Sequence, residues 1–212
     1  MNDLKNLKAR GEKIVKRFEA EYPDAACSLV SRNAFELLIS TRLSAQCTDA
    51  RVNLVTPSLF EKYPNAEALA EADLKDVEQL IKSCGLYKTK AKDLIGIGKA
   101  IVENFDGQVP DRLELLTTLP GIGRKTANLI CGDVFGQPAV VADTHFIRIC
   151  NRIGFLSTKN PLTVEKTMRK ILPPDKSNDF CHRTVLHGRA ICKARRPECD
   201  RCCINELCEK NI

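Results

Sequence analysis

The stretch Leu119-Pro-Gly-Ile-Gly-Arg-Lys-Thr-Ala127 predicts a turn between two helices. Pro120 and Gly121 predict a tight turn, and the two glycines let the backbone approach a ligand closely. A helix is predicted directly after the turn, so its free N–H groups and positive dipole end suit a phosphate. The alternative to a phosphate site is a well-capped turn without a ligand, because the sequence P-G-x-G is common between two helices. Arg124 and Lys125 beside the turn favour phosphate binding.

The segments around this turn have helical periodicity almost throughout. Asn33 and Glu36 predict a capping box, and Pro57 is expected to bend or interrupt one helix. The apolar run 138–142 has no partner run with which to form a sheet. We therefore predict an all-α fold of many short helices joined by tight loops. The predicted helices are 4–21, 34–47, 49–62, 66–71, 74–83, 88–104, 112–117, 124–135, 143–153, 162–171 and 178–191.

The composition is that of a folded protein. Hydrophobic residues make up 43% of the 212 positions, which is enough for a core and argues against disorder as the main state. The net charge of +6 is compatible with a polyanionic partner but does not require one. The N-terminal stretch MNDLKNLKARGEKIVKRF lacks the apolar region of a signal peptide. No run approaches the ~18 apolar residues of a membrane span, so we expect a cytosolic protein.

The 11 cysteines are unevenly distributed. Four of them follow the pattern Cys192-x6-Cys199-x2-Cys202-x5-Cys208, which can close around one metal centre, and the adjacent Cys203 is interpreted as a non-ligand. In a reducing cytosol, clustered cysteines more often bind metal than form disulfides. The spacing alone leaves zinc, an iron–sulfur cluster or a redox thiol site open. The remaining six are expected in or near the core: Cys27, Cys47, Cys84, Cys131, Cys150 and Cys181.

One aspartate stands between an apolar run and a predicted helix, in Val140-Val-Ala-Asp-Thr-His145. Taken alone, Asp143 is best interpreted as an N-cap, which is a common role for an aspartate in that place.

Together these motifs resemble the endonuclease III branch of the helix-hairpin-helix DNA glycosylases. The resemblance is carried by residues 119–127, by residues 141–145 and by the cysteine spacing. Ser44-Ala-Gln46, Gly85-Leu86-Tyr87 and Leu186-His187-Gly188-Arg189 also match the family. The resemblance covers essentially the whole chain from about residue 30.

The resemblance implies an all-α protein with two domains. A six-helix barrel domain that contains the helix-hairpin-helix would span 27–137, and an iron–sulfur cluster domain would combine 1–26 with 138–212. The cofactor would be a [4Fe–4S] cluster. The partner would be double-stranded DNA containing damaged bases or abasic sites, bound by a monomer in the cytoplasm, in association with the nucleoid. The implied cluster ligands are Cys192, Cys199, Cys202 and Cys208.

Two residues match the family's catalytic positions. Lys125 matches a lysine whose neutral amine attacks C1′ of the sugar, displaces the base and forms a Schiff base that eliminates the 3′ phosphate. Desolvation, Arg124 and the helix N-terminus are expected to favour the neutral amine. Asp143 matches an aspartate that accepts the amine proton or stabilises positive charge on the sugar, and an N-cap role can coexist with either.

The resemblance also implies how DNA is held. Gln46 and Leu86 are wedge candidates that fill the space left by a flipped base. Core packing is the alternative for Leu86. The basic loop between the first two cysteines of the pattern is expected to contact phosphates, with a solvated charge run as the alternative. The expected phosphate contacts are Gly121, Gly123, Arg124, Lys193, Arg195 and Arg196.

The expected function is base excision repair by a bifunctional DNA N-glycosylase and AP lyase that removes oxidised pyrimidines and cleaves 3′ to the abasic site by β-elimination. The alternative is a glycosylase for mismatched bases or purine lesions, which shares most of these motifs. The presence of Lys125 argues against this alternative. A non-catalytic helix-hairpin-helix module is disfavoured because a phosphate clamp needs neither Lys125 nor Asp143.

Overall fold

The computed structural model describes residues 2–212, with side chains from residue 3 onward. These residues form helices and loops without any β-strand, which confirms the all-α prediction. None of the described helices is long and apolar enough to cross a membrane. The helices are α1 Asn2–Glu21, α2 Ala34–Ser44, α3 Asp49–Lys62, α4 Ala66–Ala70, α5 Leu74–Leu80, α6 Tyr87–Phe105, α7 Leu113–Leu116, α8 Arg124–Asp133, α9 Thr144–Ile153, α10 Pro161–Ile171 and α11 Ser177–Ala190, with short 3₁₀ turns at Pro174–Lys176, Cys199–Arg201 and Asn205–Leu207.

The chain divides into two compact units. Cys27–Phe135 forms one unit and contains α2 to α8. The segment up to Ala26, with α1, joins Gly136–Ile212, with α9 to α11, in the other. The two are called the central unit and the terminal unit below.

The central unit is built on a continuous apolar core to which α2 to α8 all contribute. At its N-terminal edge Asn33 caps α2 by accepting a hydrogen bond from the Glu36 amide at 2.9 Å. The Glu36 carboxylate reaches one residue further back than a capping box predicts and accepts from the Arg32 amide at 2.7 Å. The helix therefore starts where the sequence predicts, through a slightly different arrangement of bonds.

Two of the predicted helices end three residues earlier than expected, and one of them, predicted over 74–83, ends at Leu80. The second helix was expected to reach residue 47, but α2 ends at Ser44. The Lys90 ammonium donates to the Leu43 carbonyl at 2.7 Å and stops the helix, and Gln46 then adopts a left-handed backbone with φ of 55°. Pro57 does not interrupt α3, which continues through it to Lys62.

In the terminal unit, aromatic packing joins α1 to the C-terminal half of the chain. The Phe18 ring stacks on Phe180 of α11 at 5.4 Å between centroids, and Phe146 of α9 meets Phe180 edge-on at 6.0 Å. Arg10 donates to the Gly154 carbonyl at 2.9 Å and to the Glu209 carboxylate at 2.7 Å. The N-terminal helix is thereby part of the same core as the cysteine-rich C-terminal segment.

Candidate functional site

The glycine-rich stretch forms the hairpin between α7 and α8 in the central unit. Leu119 and Ile122 anchor it, because both side chains are buried and the Ile122 amide donates to the Leu119 carbonyl at 3.1 Å. Gly121 has φ of 68°, a left-handed conformation that favours glycine. Gly123 has an ordinary extended backbone, with φ of −91° and ψ of 172°, and is the N-cap of α8.

An ion pair lies directly beneath this turn. Arg42 of α2 donates through Nε to Asp93 of α6 at 2.9 Å. A Cβ added at Gly121 would lie 2.7 Å from Asp93 Oδ2 and nearer still to Arg42 Nε. Glycine is therefore required at 121 by sterics as well as by backbone conformation. At Gly123 a Cβ would meet no heavy atom within 4 Å, so that side of the turn is open.

The first turn of α8 presents an uncapped helix N-terminus. Gly123 supplies no side-chain cap, and the amides of residues 124–126 lie before the first intrahelical hydrogen bond, from Ala127 to the Gly123 carbonyl. Gly123, Arg124 and Lys125 are exposed. The expected desolvation of the Lys125 amine is therefore not supplied by burial within the protein. Three amides, the positive dipole end and two cationic side chains face the surface together, an arrangement suited to a phosphate.

The two wedge candidates project from neighbouring loops of the central unit. Leu86 is 58% exposed and Gln46 is also exposed, so core packing does not explain Leu86. Both have left-handed backbones, with φ of 60° at Leu86 and 55° at Gln46. A Cβ at Gly85 would lie 3.4 Å from the Gln46 carbonyl, which places the two loops in contact. An exposed leucine in a costly backbone conformation is a feature often associated with function.

Lys90 supports these loops from below. Its side chain is fully buried, and its amine donates a hydrogen bond to the Leu43 carbonyl at the end of α2. Burial lowers the pKa of Lys90, while the Cys47 and Cys84 thiols beside it act in the opposite direction. Nothing in the sequence indicated that the amine of Lys90 ends α2.

Asp143 begins α9 in the terminal unit. Its Oδ1 accepts a hydrogen bond from the Phe146 amide at 2.7 Å, which is the predicted N-cap. The carboxylate is half-buried. The capping bond fixes the orientation of the group and uses one of its two oxygens, so the second oxygen retains acceptor capacity.

His145 and Arg148 hold α9 against α11 rather than serving as ligands. Arg148 donates to the Gly188 carbonyl at 3.1 Å and to the Cys192 carbonyl at 2.9 Å. A Cβ at Gly188 would lie 2.5 Å from His145 Nδ1, so the helices approach closely only because residue 188 is glycine. Burial lowers the pKa of His145. These contacts explain the motif Leu186-His187-Gly188-Arg189 as a packing feature at residue 188.

The four patterned cysteines line one pocket in the terminal unit. Burial raises the pKa of the Cys202 and Cys208 thiols, and the neighbouring cysteines raise them further, so the sulfurs lie within electrostatic reach of one another. Within residues 2–212, no three His, Cys, Asp or Glu side chains converge closely enough for a single metal ion. Four thiols that line one pocket without converging on a single point fit a multi-atom cluster, whose ligands need not meet at the ~2.3 Å distance of a zinc–sulfur bond.

The wall of this pocket also supplies hydrogen-bond donors to the sulfurs. Arg152 of α9 lies with its guanidinium 3.4 Å from Cys192 Sγ and donates to the Lys193 carbonyl at 2.8 Å. The Lys210 amide donates to Cys208 Sγ at 3.4 Å. Such donors stabilise thiolates that bind metal. Sequence reasoning missed Arg152, since nothing in the local pattern around α9 indicates that it reaches a segment 40 residues later.

The basic loop after Cys192 is only partly free to bind an anion. Lys193 and Arg201 both donate to the Glu198 carboxylate, each at 2.5 Å. Arg195 and Arg196 are exposed on the same loop. Three phosphate contacts were predicted in this loop. Lys193 already has an acidic partner, whereas the two arginines face the surface.

Comparisons with known proteins identify the family of this chain. The model of the HhH-GPD superfamily base excision DNA repair proteins matches residues 39–174. Endonuclease III of Synechocystis sp. is 43% identical over 209 residues, which cover 98% of this chain and 95% of the relative. Endonuclease III of Escherichia coli K12 is 39% identical over 202 residues, or 95% and 96% of the two chains. A structure of an endonuclease III trapped as a covalent intermediate with DNA is similar with a TM-score of 0.89 and 42% identity, over 96% of each chain.

Proposed function

The chain belongs to the endonuclease III family of HhH-GPD superfamily base excision DNA repair proteins, and from that membership we infer that it is a DNA glycosylase and AP lyase. Its substrate is double-stranded DNA that contains damaged bases or abasic sites, and we propose oxidised pyrimidines as the preferred lesions. The main support for this function is the first turn of α8. It follows the glycine hairpin directly, has no side-chain cap and contains an exposed lysine.

Lys125 is the proposed nucleophile. Its neutral amine attacks C1′, the bond from C1′ to the base breaks, and the base leaves with the bonding electrons and takes up a proton. The nitrogen lone pair then forms the C1′=N bond as the bond from C1′ to O4′ breaks, and O4′ takes up a proton, which gives the protonated Schiff base. Removal of a proton from C2′ then expels the 3′ phosphate, and water releases the lysine.

Asp143 is the proposed partner of this chemistry. A carboxylate can accept the amine proton or stabilise positive charge that develops on the sugar. The capping bond to the Phe146 amide supports this role, because it orients the carboxylate before substrate arrives. Asp143→Asn separates the capping role from the catalytic role, since asparagine caps a helix about as well as aspartate but is not a base. We expect near-normal melting with a large loss of base excision, and Asp73→Asn at the N-cap of α5 is the matched control.

DNA is held by two kinds of contact in this proposal. The amides and cations at Gly121, Gly123 and Arg124 bind phosphates, and the basic loop 193–196 adds further contacts. Gln46 and Leu86 enter the duplex where the target base has left the stack. Two exposed side chains on left-handed backbones in touching loops support this assignment.

Cys192, Cys199, Cys202 and Cys208 are the proposed ligands of a [4Fe–4S] cluster. When bound, the cluster supplies a cross-link that holds the C-terminal segment and its basic loop in place. The test is iron and sulfide content together with visible absorbance. Cys202→Ser should lose the cluster, whereas Cys203→Ser at the neighbouring position should keep it. Equal iron content in both variants would remove Cys202 from the ligand set.

We further propose that the central unit is the six-helix barrel domain and the terminal unit the cluster domain. Because the substrate is chromosomal DNA, the enzyme works where that DNA is, in the cytoplasm with the nucleoid. One protein per lesion suffices for the chemistry, so a monomer is the proposed working form.

Borohydride trapping tests the central claim. The protein is mixed with duplex DNA carrying thymine glycol or an abasic site, and borohydride reduces any Schiff base to a stable adduct. We expect an adduct that disappears in Lys125→Ala and persists in Lys88→Ala, which removes another exposed lysine from the first turn of a helix. An adduct in Lys125→Ala would assign the nucleophile elsewhere. No adduct with either DNA would indicate a monofunctional glycosylase or a DNA-binding module.

A further inference from the structure

A chain of hydrogen bonds in the terminal unit ends on one of the proposed cluster ligands. The Tyr22 hydroxyl lies 2.9 Å from His187 Nδ1, and His187 Nε2 lies 3.4 Å from Cys202 Sγ. Neither Tyr22 nor His187 takes part in the proposed chemistry on DNA. His187 is only 1% exposed, so water has little access with which to replace either contact.

Packing holds both side chains in place. The Phe18 ring lies 4.8 Å from the His187 imidazole, measured between centroids. Arg183, one turn before His187 on α11, donates to the Tyr22 carbonyl at 3.3 Å. Tyr22 is therefore bound to α11 through its backbone and through its hydroxyl. The contact with Cys202 is part of a built arrangement rather than a chance approach of a mobile side chain.

The chemistry of the ligand decides the direction of the bonds, and this step rests on the proposed cluster. A cysteine bound to iron is a thiolate, which has no proton and can only accept. His187 Nε2 must then carry the hydrogen. A neutral imidazole has a single N–H, so Nδ1 is bare and accepts from the Tyr22 hydroxyl. Burial raises the pKa of Tyr22 to about 12, which keeps the phenol protonated near neutral pH.

We propose that Tyr22 and His187 are positioning residues which form a directed hydrogen-bond relay to the Cys202 sulfur and raise the reduction potential of the cluster. An N–H donor stabilises negative charge on the sulfur, and the reduced cluster carries one more electron than the oxidised cluster. The Tyr22 hydroxyl strengthens this bond, since donation to Nδ1 polarises the opposite N–H of the ring.

The test is a spectropotentiometric titration of the intact holoenzyme and its variants. Tyr22→Phe removes the hydroxyl and keeps the ring, and Tyr63→Phe is the matched control, because that hydroxyl donates to Asp76 at 2.6 Å in the other unit. We expect Tyr63→Phe to match the wild type, and Tyr22→Phe to have a lower potential. His187→Leu should be lower still, and His187→Gln, which keeps an N–H group, should recover part of the loss. At a fixed potential, the reduced-to-oxidised ratio should fall several-fold, a tenfold change being about 59 mV for one electron.

The outcomes separate the relay from the cluster itself. A wild-type protein without iron or visible absorbance would overturn both. A protein with a normal cluster whose potential is the same in Tyr22→Phe, Tyr63→Phe and the wild type would overturn the relay alone. If His187→Leu does not fold, Tyr22→Phe decides, because it deletes one oxygen atom and leaves the packing of the ring intact.

Discussion

Replacing Gly121 by alanine should destabilise the hairpin, whereas the same replacement at Gly123 should leave stability almost unchanged. Alanine in the left-handed conformation of residue 121 costs about 1–2 kcal/mol. Its Cβ would also lie 2.7 Å from Asp93 Oδ2 and push against Arg42, and loosening this partly buried ion pair costs up to about 1 kcal/mol. The total is about 1–3 kcal/mol.

At Gly123 the same added carbon meets nothing within 4 Å and the backbone suits any residue. Alanine is a poorer N-cap than glycine by up to about 1 kcal/mol. It also restricts the unfolded chain, which stabilises the protein by about 0.4–1 kcal/mol. The two effects cancel to within about 0.5 kcal/mol. The added methyl group nevertheless stands where a phosphate would approach the first amides of α8.

Thermal melting and DNA binding are both measured for each variant. A loss of about 1–3 kcal/mol corresponds to a fall in Tm of roughly 2–12 °C for a chain of this size, so Gly121→Ala should melt lower than the wild type. Gly123→Ala should melt with the wild type and bind an abasic-analogue duplex about tenfold more weakly, or about 1.4 kcal/mol, in fluorescence anisotropy. Equal loss of Tm in the two variants would refute the steric argument. Wild-type affinity in Gly123→Ala would refute the phosphate site at α8.

Three further predictions follow from the exposed loops and from a surface ion pair. Leu86→Gly should keep its Tm, because glycine relieves a left-handed backbone, yet lose most base flipping as read by 2-aminopurine fluorescence; a lower Tm with normal flipping would indicate core packing. Arg195→Ala should reduce the slope of log K against log salt by about 1, and Lys193→Ala by less, because Lys193 already pairs with Glu198; equal slopes would show that this pair opens on DNA. Hydrogen bonds from lysine and tyrosine side chains lower the pKa of Asp76, so its stabilisation is present above the ordinary aspartate pKa and is lost as pH falls through the lowered value. Asp76→Asn should therefore lower Tm at pH 7, and the difference should vanish in acid; a difference that does not depend on pH would contradict the charge argument.

Local patterns in the sequence predicted most of the helices and their caps. Asn33 and Asp143 cap the helices that follow them, because a cap depends only on residues within one turn. The end of α2 was mispredicted for the opposite reason. Leu43 loses its helical continuation to the amine of Lys90, which is 47 positions away. No local pattern contains that information, since a long-range contact decides between continuing and stopping the helix.

The same difference between local patterns and long-range contacts applies to the candidate site. The resemblance supplied Lys125, Asp143 and the four cysteines by position. It did not distinguish the two hairpin glycines, which differ in backbone conformation and in what lies beneath them in the fold. It likewise did not reveal that Arg152 reaches the loop after Cys192. Those contacts arise when helices distant in sequence pack together, so only the structure contains them.

Several of the proposed functional residues lie at the N-termini of helices. Leu86 is the N-cap of α6, Gly123 and Lys125 begin α8, and Asp143 is the N-cap of α9. A helix N-terminus offers unpaired amides and positive potential, which attract a polyanion and hold a carboxylate in a fixed direction. A fold of many short helices has many such termini for its length. Tight loops rather than strands are therefore sufficient for this chain to bind phosphates and to orient its reactive groups.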